Sequence, residues 1–170
     1  ACLFGTVLDE TVQLNDAGRM VEHWWFELNR KFSGVEMDEF VIMPNHCHGI
    51  VIITDGVVGA DLRVGPPPEG VGRVPEGAHT GAPLQPPLST VIQWFKTMTT
   101  NQYIGSVKTG AWPPFNRRLW QRNYYDHVIR SEESLNRIRQ YILDNPAQWQ
   151  FDRENPAAMN PEPKDAWSIR

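Results

Sequence analysis

The run 39–54, EFVIMPNHCHGIVIIT, restricts what this chain can fold into more than any other part of it. Two apolar, β-branched runs flank Met43, Pro44 and Asn45, where proline fixes one backbone angle and asparagine tolerates turn conformations. The pattern predicts strands over 35–42 and 47–54 joined by a tight bend. Side chains along a strand alternate faces, so His46 and His48 share one face while Cys47 takes the other. Two imidazoles roughly 6 to 7 Å apart along a strand can converge on one metal ion. They can equally be unrelated polar residues at the rim of a sheet, and the triplet alone leaves both readings open.

At 170 residues, with 41% hydrophobic and 21% charged side chains, the sequence has the size and make-up of one globular domain. Cys2 and Cys47 have no framework spacing, which points to a reducing, cytoplasmic setting rather than a disulfide scaffold. The apolar stretch around Val51 is interrupted by Pro44, Asn45 and both histidines and ends at Asp55, too short to span a bilayer, and no signal-peptide pattern is present. No membrane partner is expected. The sequence starts at Ala1 and enters the strand-like run ACLFGTVLD almost at once, which leads us to expect further chain upstream. The net charge of −4 hides an asymmetry. Residues 1–87 hold 5 lysines and arginines against 12 acids, residues 88–141 hold 8 against 3, and residues 142–170 hold 3 against 5.

Helical spacing runs through 16–32, with Met20, Val21, Trp24, Trp25, Leu28 and Phe32 on one side and Asn15 or Asp16 placed to cap it; His23 reads as exposed there. From Gly56 to Pro87, seven glycines and seven prolines in 32 residues, without any period, predict a flexible insertion that includes His79. A second helix is expected over 88–104, with Ser89 as its candidate cap. The aromatic and β-branched run 119–130, LWQRNYYDHVIR, reads as a strand. Ser131 then opens a third helix, with Glu132 and Glu133 in its first turn and Pro146 closing it. The tail over 147–170 has three prolines and few apolar anchors beyond Trp149, Phe151 and Trp167, and reads as irregular.

Two further groups of residues can carry chemistry. Tyr141 and Asn145 are four apart on the third helix and so adjacent on its surface. A phenol is a poor nucleophile unless a cation or base assists it, and an asparagine oxygen suits a hard cation. A packed tyrosine and a helix-ending Asn-Pro would give the same spacing. Lys96, Lys108, Arg117, Arg118, Arg122, Arg130, Arg137 and Arg139 alternate with Trp94, Trp112, Phe115, Trp120, Tyr124 and Tyr125, which is the residue mixture of a single-stranded nucleic-acid groove, or of a solvated face over core aromatics.

Taken together, these residues resemble the single-tyrosine HUH transposases and, within them, the REP-associated tyrosine transposase branch. FVIMPNHCHGIVII looks like that family's histidine-hydrophobic-histidine strand, and LWQRNYYDHVIR followed by YILDNP looks like its C-terminal signature, in the family's order. The resemblance implies one α+β domain over 1–146, with helices packed on a central antiparallel sheet in a ferredoxin-like or RRM-like architecture. It implies His46 and His48 as metal ligands, Asn145 as the third ligand where related enzymes carry glutamine, with Asp144 as a substitute, and Tyr141 as nucleophile. The metal would be Mg²⁺ or Mn²⁺, and the partner single-stranded or hairpin DNA, bound by a monomer or homodimer. Lys96, Arg117, Arg118, Arg122 and Arg130 are the candidate DNA contacts, with His127 contacting DNA or bracing the site. Family members also carry an additional strand, ending in a phrase like YFVT, ahead of the point where this sequence starts. The implied reaction is cutting and rejoining of DNA through a 5′-phosphotyrosine. Two other readings compete: a non-catalytic nucleic-acid-binding descendant, and a metal-dependent phosphoesterase that does not use the tyrosine.

Overall fold

A computed structural model describes residues 2–54 and 86–161. The glycine-proline insertion, apart from Pro86 and Pro87, lies outside the described residues, as do His79, Trp167 and the end of the tail. The described residues form a mixed α+β arrangement of two small antiparallel sheets and three α-helices. Among them, no helix is long and apolar enough to cross a membrane.

Strands β1 (Gly5–Leu8) and β2 (Thr11–Leu14) form a hairpin whose two turn residues, Asp9 and Glu10, have φ of 49° and 59°. Two consecutive positive φ angles match the right-handed twist of the flanking strands, which is why so tight a turn needs them. The first helix, α1 (Asp16–Lys31), starts where the Asn15 side chain accepts from Gly18 N at 3.0 Å. It buries Ala17, Met20, Val21, Trp25 and Leu28, and of the expected stripe Trp24 and Phe32 are half-buried against the same cluster. His23 is exposed on it, its ring edge-on to Trp24.

Strands β3 (Val35–Ile42) and β4 (Cys47–Ile53) pair in a second hairpin, closed by Met43 N donating to His46 O at 2.8 Å. The pairing Met37 with Val51 and Phe40 with Gly49 leaves Asp38 and Glu39 opposite the single residue Ile50, a β-bulge. Because of it, Val35 and Met37 before the bulge and Phe40 and Ile42 after it all belong to one apolar cluster. That cluster meets α1: Trp25 stacks on Phe40 with centroids 5.1 Å apart, and Gly49 lies so close under the Trp25 ring that a Cβ there would fall 2.3 Å from Cζ2.

Helix α2 (Leu88–Lys108) packs on α1 through Val91, Phe95, Thr99 and Tyr103, all buried. Its first turn has no side-chain cap; Pro87 holds the cap position and Ser89 lies inside the helix, which corrects the expected cap. The expected strand over 119–130 is also corrected. That segment is irregular, because its anchors are side chains on a helix rather than a neighbouring backbone ladder. Trp120 Nε1 donates to Thr99 Oγ1 at 2.7 Å, and Lys96 Nζ donates to the carbonyls of Gln121 and Asn123 at 2.9 and 3.4 Å. Beyond Trp120 the apolar residues are left outside, with Tyr125 79% and Val128 66% exposed.

Helix α3 (Glu132–Asp144) begins at Ser131, whose side chain accepts from Ser134 N, and packs on β3 and β4. Arg139 on α3 grips Asp38 in the bulge with Nε at 3.1 and 3.2 Å and Nη2 at 2.5 Å. The guanidinium beside Asp38 holds that carboxyl below its ordinary range. Through the bulge, β3 thus gives apolar side chains to α1 and an acid to α3.

Candidate metal centre beside a helix tyrosine

Strand alternation places the site. Cys47 at the start of β4 faces the apolar cluster, where burial pushes its thiol up to about 12 and leaves it unreactive. His46 and His48 face the other way. Their Nε2 atoms lie 2.9 Å apart, with ring centroids 4.7 Å apart and planes at 90°. Asp152 follows a short 3₁₀ turn (Trp149–Phe151) and brings Oδ2 to 3.3 Å from His46 Nε2. Nitrogen and oxygen atoms from all three residues lie within 4.8 Å of one another.

The electrostatics suit a cation. Burial lowers both imidazoles to about 4, so each is neutral at pH 7, the form that binds metals. For His48, the charge that His46 would carry adds to that depression. Burial raises the Asp152 carboxyl, which an adjacent cation would lower again. At 2.9 Å the two Nε2 atoms are within hydrogen-bond distance of each other. Two imidazole nitrogens and a carboxylate oxygen are a donor set that a divalent cation can take.

Helix α3 brings Tyr141 to the same place, its ring edge-on to His48 with centroids 5.6 Å apart. The other expected residues are distributed as follows. Asn145 is buried at the end of α3, 5% exposed, with Nδ2 donating to the Tyr141 carbonyl at 3.0 Å. Asp144 is exposed and accepts from Gln140. The group drawn up to the imidazoles is the carboxylate of Asp152, in the stretch read as an irregular tail. Arg117, Arg118 and Arg122 are exposed along an open concavity formed by residues 116–122, and His127 and Arg130 are exposed further along. Lys96 instead holds the carbonyls of that segment, its ammonium 5.5 Å over the Tyr124 ring, and burial lowers its pKa. Gln121 Nε2 reaches Glu154 Oε2 at 3.4 Å, so the basic segment borders the turn that carries Asp152.

Fold and site together define an α+β protein with a two-histidine, one-carboxylate cluster facing a helix tyrosine. The chain belongs to the same family as a protein of Haemophilus influenzae described as "Uncharacterized protein", to which it is 35% identical over 157 residues, 89% of this chain and 77% of the relative. No protein-family profile matches the chain, and no solved structure matches it significantly.

Proposed function

We propose that this protein is a metal-dependent single-stranded DNA endonuclease and strand transferase of the single-tyrosine HUH transposase type, on a sheet-and-helix scaffold of the HUH-nuclease kind, with Tyr141 as nucleophile. The observation that carries the reading is the Tyr141 ring lying 5.6 Å from His48, one of two neutral imidazoles that meet a carboxylate. His46, His48 and Asp152 would hold the ion. When bound, Mg²⁺ or Mn²⁺ supplies positive charge that polarises the scissile phosphate and offsets the charge gained on reaction.

The remaining chemistry belongs to the chain. The Tyr141 phenol loses its proton and its oxygen attacks phosphorus; the bond from phosphorus to the 3′ oxygen breaks, and that oxygen takes up a proton as a 3′-OH. One P–O bond forms and one breaks, so the phosphotyrosine retains the linkage and a second 3′-OH can reverse the step on another strand. Position does the rest, since α3 fixes the phenol against the strand that carries the histidines. Arg117, Arg118, Arg122 and Arg130, with His127, would supply exposed donors for the DNA backbone, on a segment whose Gln121 reaches the turn of Asp152.

Incubation with hairpin-bearing single-stranded DNA and Mn²⁺, followed by denaturing electrophoresis, tests the proposal. A covalent protein-DNA band is expected from the wild type and absent from Tyr141→Phe and His46→Ala. DNA cleavage at wild-type rate by Tyr141→Phe would replace this reading with a phosphoesterase that uses the histidines alone. Hairpin binding with neither cleavage nor adduct in the presence of Mn²⁺ would leave a binding protein.

A further inference from the structure

Asn45 stands immediately before the two histidines and uses both ends of its side-chain amide. Its Nδ2 donates to the Glu154 carbonyl at 2.6 Å, and since a carbonyl only accepts, this bond fixes which end of the amide is which. The other end, Oδ1, lies 2.8 Å from His46 Nδ1 and is itself an acceptor. His46 must therefore carry its proton on Nδ1, and its Nε2 offers a lone pair to the space shared with His48 and Asp152. His48 Nε2, 2.9 Å from that lone pair, is then the donor in the metal-free protein. The two histidines are not equivalent: His46 is already set as a ligand, whereas His48 has to move its proton from Nε2 to Nδ1 before it can bind.

The segment that Asn45 holds is also the one that carries the carboxylate. Glu154 N donates to Asp152 Oδ1 at 2.7 Å, leaving Oδ2 turned toward His46. One amide thus links the ring orientation of one ligand to the placement of another on a chain segment more than a hundred positions away.

We propose that Asn45 is a positioning residue of the metal centre, setting His46 to bind through Nε2 and tethering the segment that delivers Asp152. The proposal rests on the metal reading above and adds to it a residue and a proton arrangement. Partners of this kind around a metal site typically account for about ten- to a hundred-fold in metal affinity.

The test uses the full chain, Asn45→Ala and Asn45→Asp. Long-range proton-nitrogen correlation spectra of the ¹⁵N-labelled, chelator-treated protein read the ring tautomers. Titration with Mn²⁺, followed by the resonance of the free ion, reads affinity. The wild type is expected to show His46 protonated on Nδ1 and His48 on Nε2, and Zn²⁺, as a diamagnetic probe, should convert His48 to the Nδ1 form while leaving His46 unchanged. Asn45→Ala should lose the fixed His46 signature and about ten- to a hundred-fold in Mn²⁺ affinity. Asn45→Asp keeps an acceptor for His46, and so its signature, but sets a carboxylate against the Glu154 carbonyl and should still lose affinity. A merely structural role would lower the melting temperature of Asn45→Ala while ring-nitrogen shifts and Mn²⁺ affinity stayed at wild-type values, and that result overturns the proposal. So does a wild-type His46 protonated on Nε2. If the wild type binds no Mn²⁺, the metal reading fails, and the tautomers of wild type and Asn45→Ala still decide what Asn45 does to His46.

Discussion

Acid should destabilise the metal-free protein through the two site histidines, over a pH range that the structure sets. Burial brings His46 and His48 from 6.5 down to about 4, and unfolding returns both to water. The unfolded chain then binds protons that the folded chain refuses, so acid favours unfolding. The contribution is constant above about pH 6.5, shrinks as pH falls toward about 4, and is fully lost below that. At about 1.4 kcal/mol per pKa unit, a drop of about 2.5 units amounts to about 3 kcal/mol for one imidazole. The pair titrates together, because charge on His46 opposes charge on His48, so the joint loss lies between about 3 and about 7 kcal/mol. Asp152 works in the opposite direction, its raised pKa letting the folded state take up a proton first and offsetting part of the loss near the acid end. A domain of ordinary stability, about 5 to 15 kcal/mol, would lose a large share of it. Urea unfolding in excess chelator at steps from pH 7.5 to 4.5, for the wild type and for the His46→Asn, His48→Asn double variant, isolates this contribution. The stability of the double variant should fall less steeply between pH 6.5 and 4.5. Parallel curves for the two proteins would refute the claim that these imidazoles are held neutral by burial.

Three further outcomes follow from the geometry. Gly49→Ala should cost about 1 to 3 kcal/mol in chemical denaturation, because its methyl would meet the Trp25 ring at 2.3 Å, and an unchanged midpoint would mean the ring yields freely. Glu10→Gly should raise stability by about 1 kcal/mol, measured as a higher melting temperature, since residue 10 has φ of 59° and has no such strain as glycine. Hairpin DNA binding should weaken steeply with salt, and each Arg→Ala change at 117, 118 or 122 should flatten the logarithmic salt slope by about 1, as seen in filter binding; equal slopes would exclude phosphate contacts by those side chains.

How much of this could be read beforehand depended on whether the signal was local. The stripe on α1, the Asn15 and Ser131 caps and the alternation around Cys47 come from neighbours within four residues, and the sequence reading located them. The strand expected over 119–130 failed because aromatic and β-branched content indicates a side-chain surface that wants burial, not the presence of a partner ladder. There Trp120 finds its burial against Thr99 and Phe95 of α2 instead. Asp152 was illegible for another reason. It sits in a proline-bounded stretch without period, and nothing in FDREN ties it to histidines more than a hundred positions earlier. The remaining clue is its own turn, since Asp152 caps Glu154 N much as an aspartate ahead of a turn is expected to do. The tie to the strand comes through Asn45, whose place in the sequence looked like turn chemistry alone.

The bulge at Asp38 and Glu39 has a consequence for how this family can vary. It makes the core-facing positions of β3 odd-numbered up to Met37 and even-numbered from Phe40, in step with Cys47 and Gly49 across the ladder. Parity is thus shared between the interior and the histidine pair. Losing one residue at the bulge would turn Val35 and Met37 out of the interior, whereas one added in the bend over 43–46 lies outside the ladder that ends at Ile42 and Cys47 and leaves both strands facing as they do. Relatives that keep this interior should tolerate many substitutions along β3 but insertions or deletions within it only in twos.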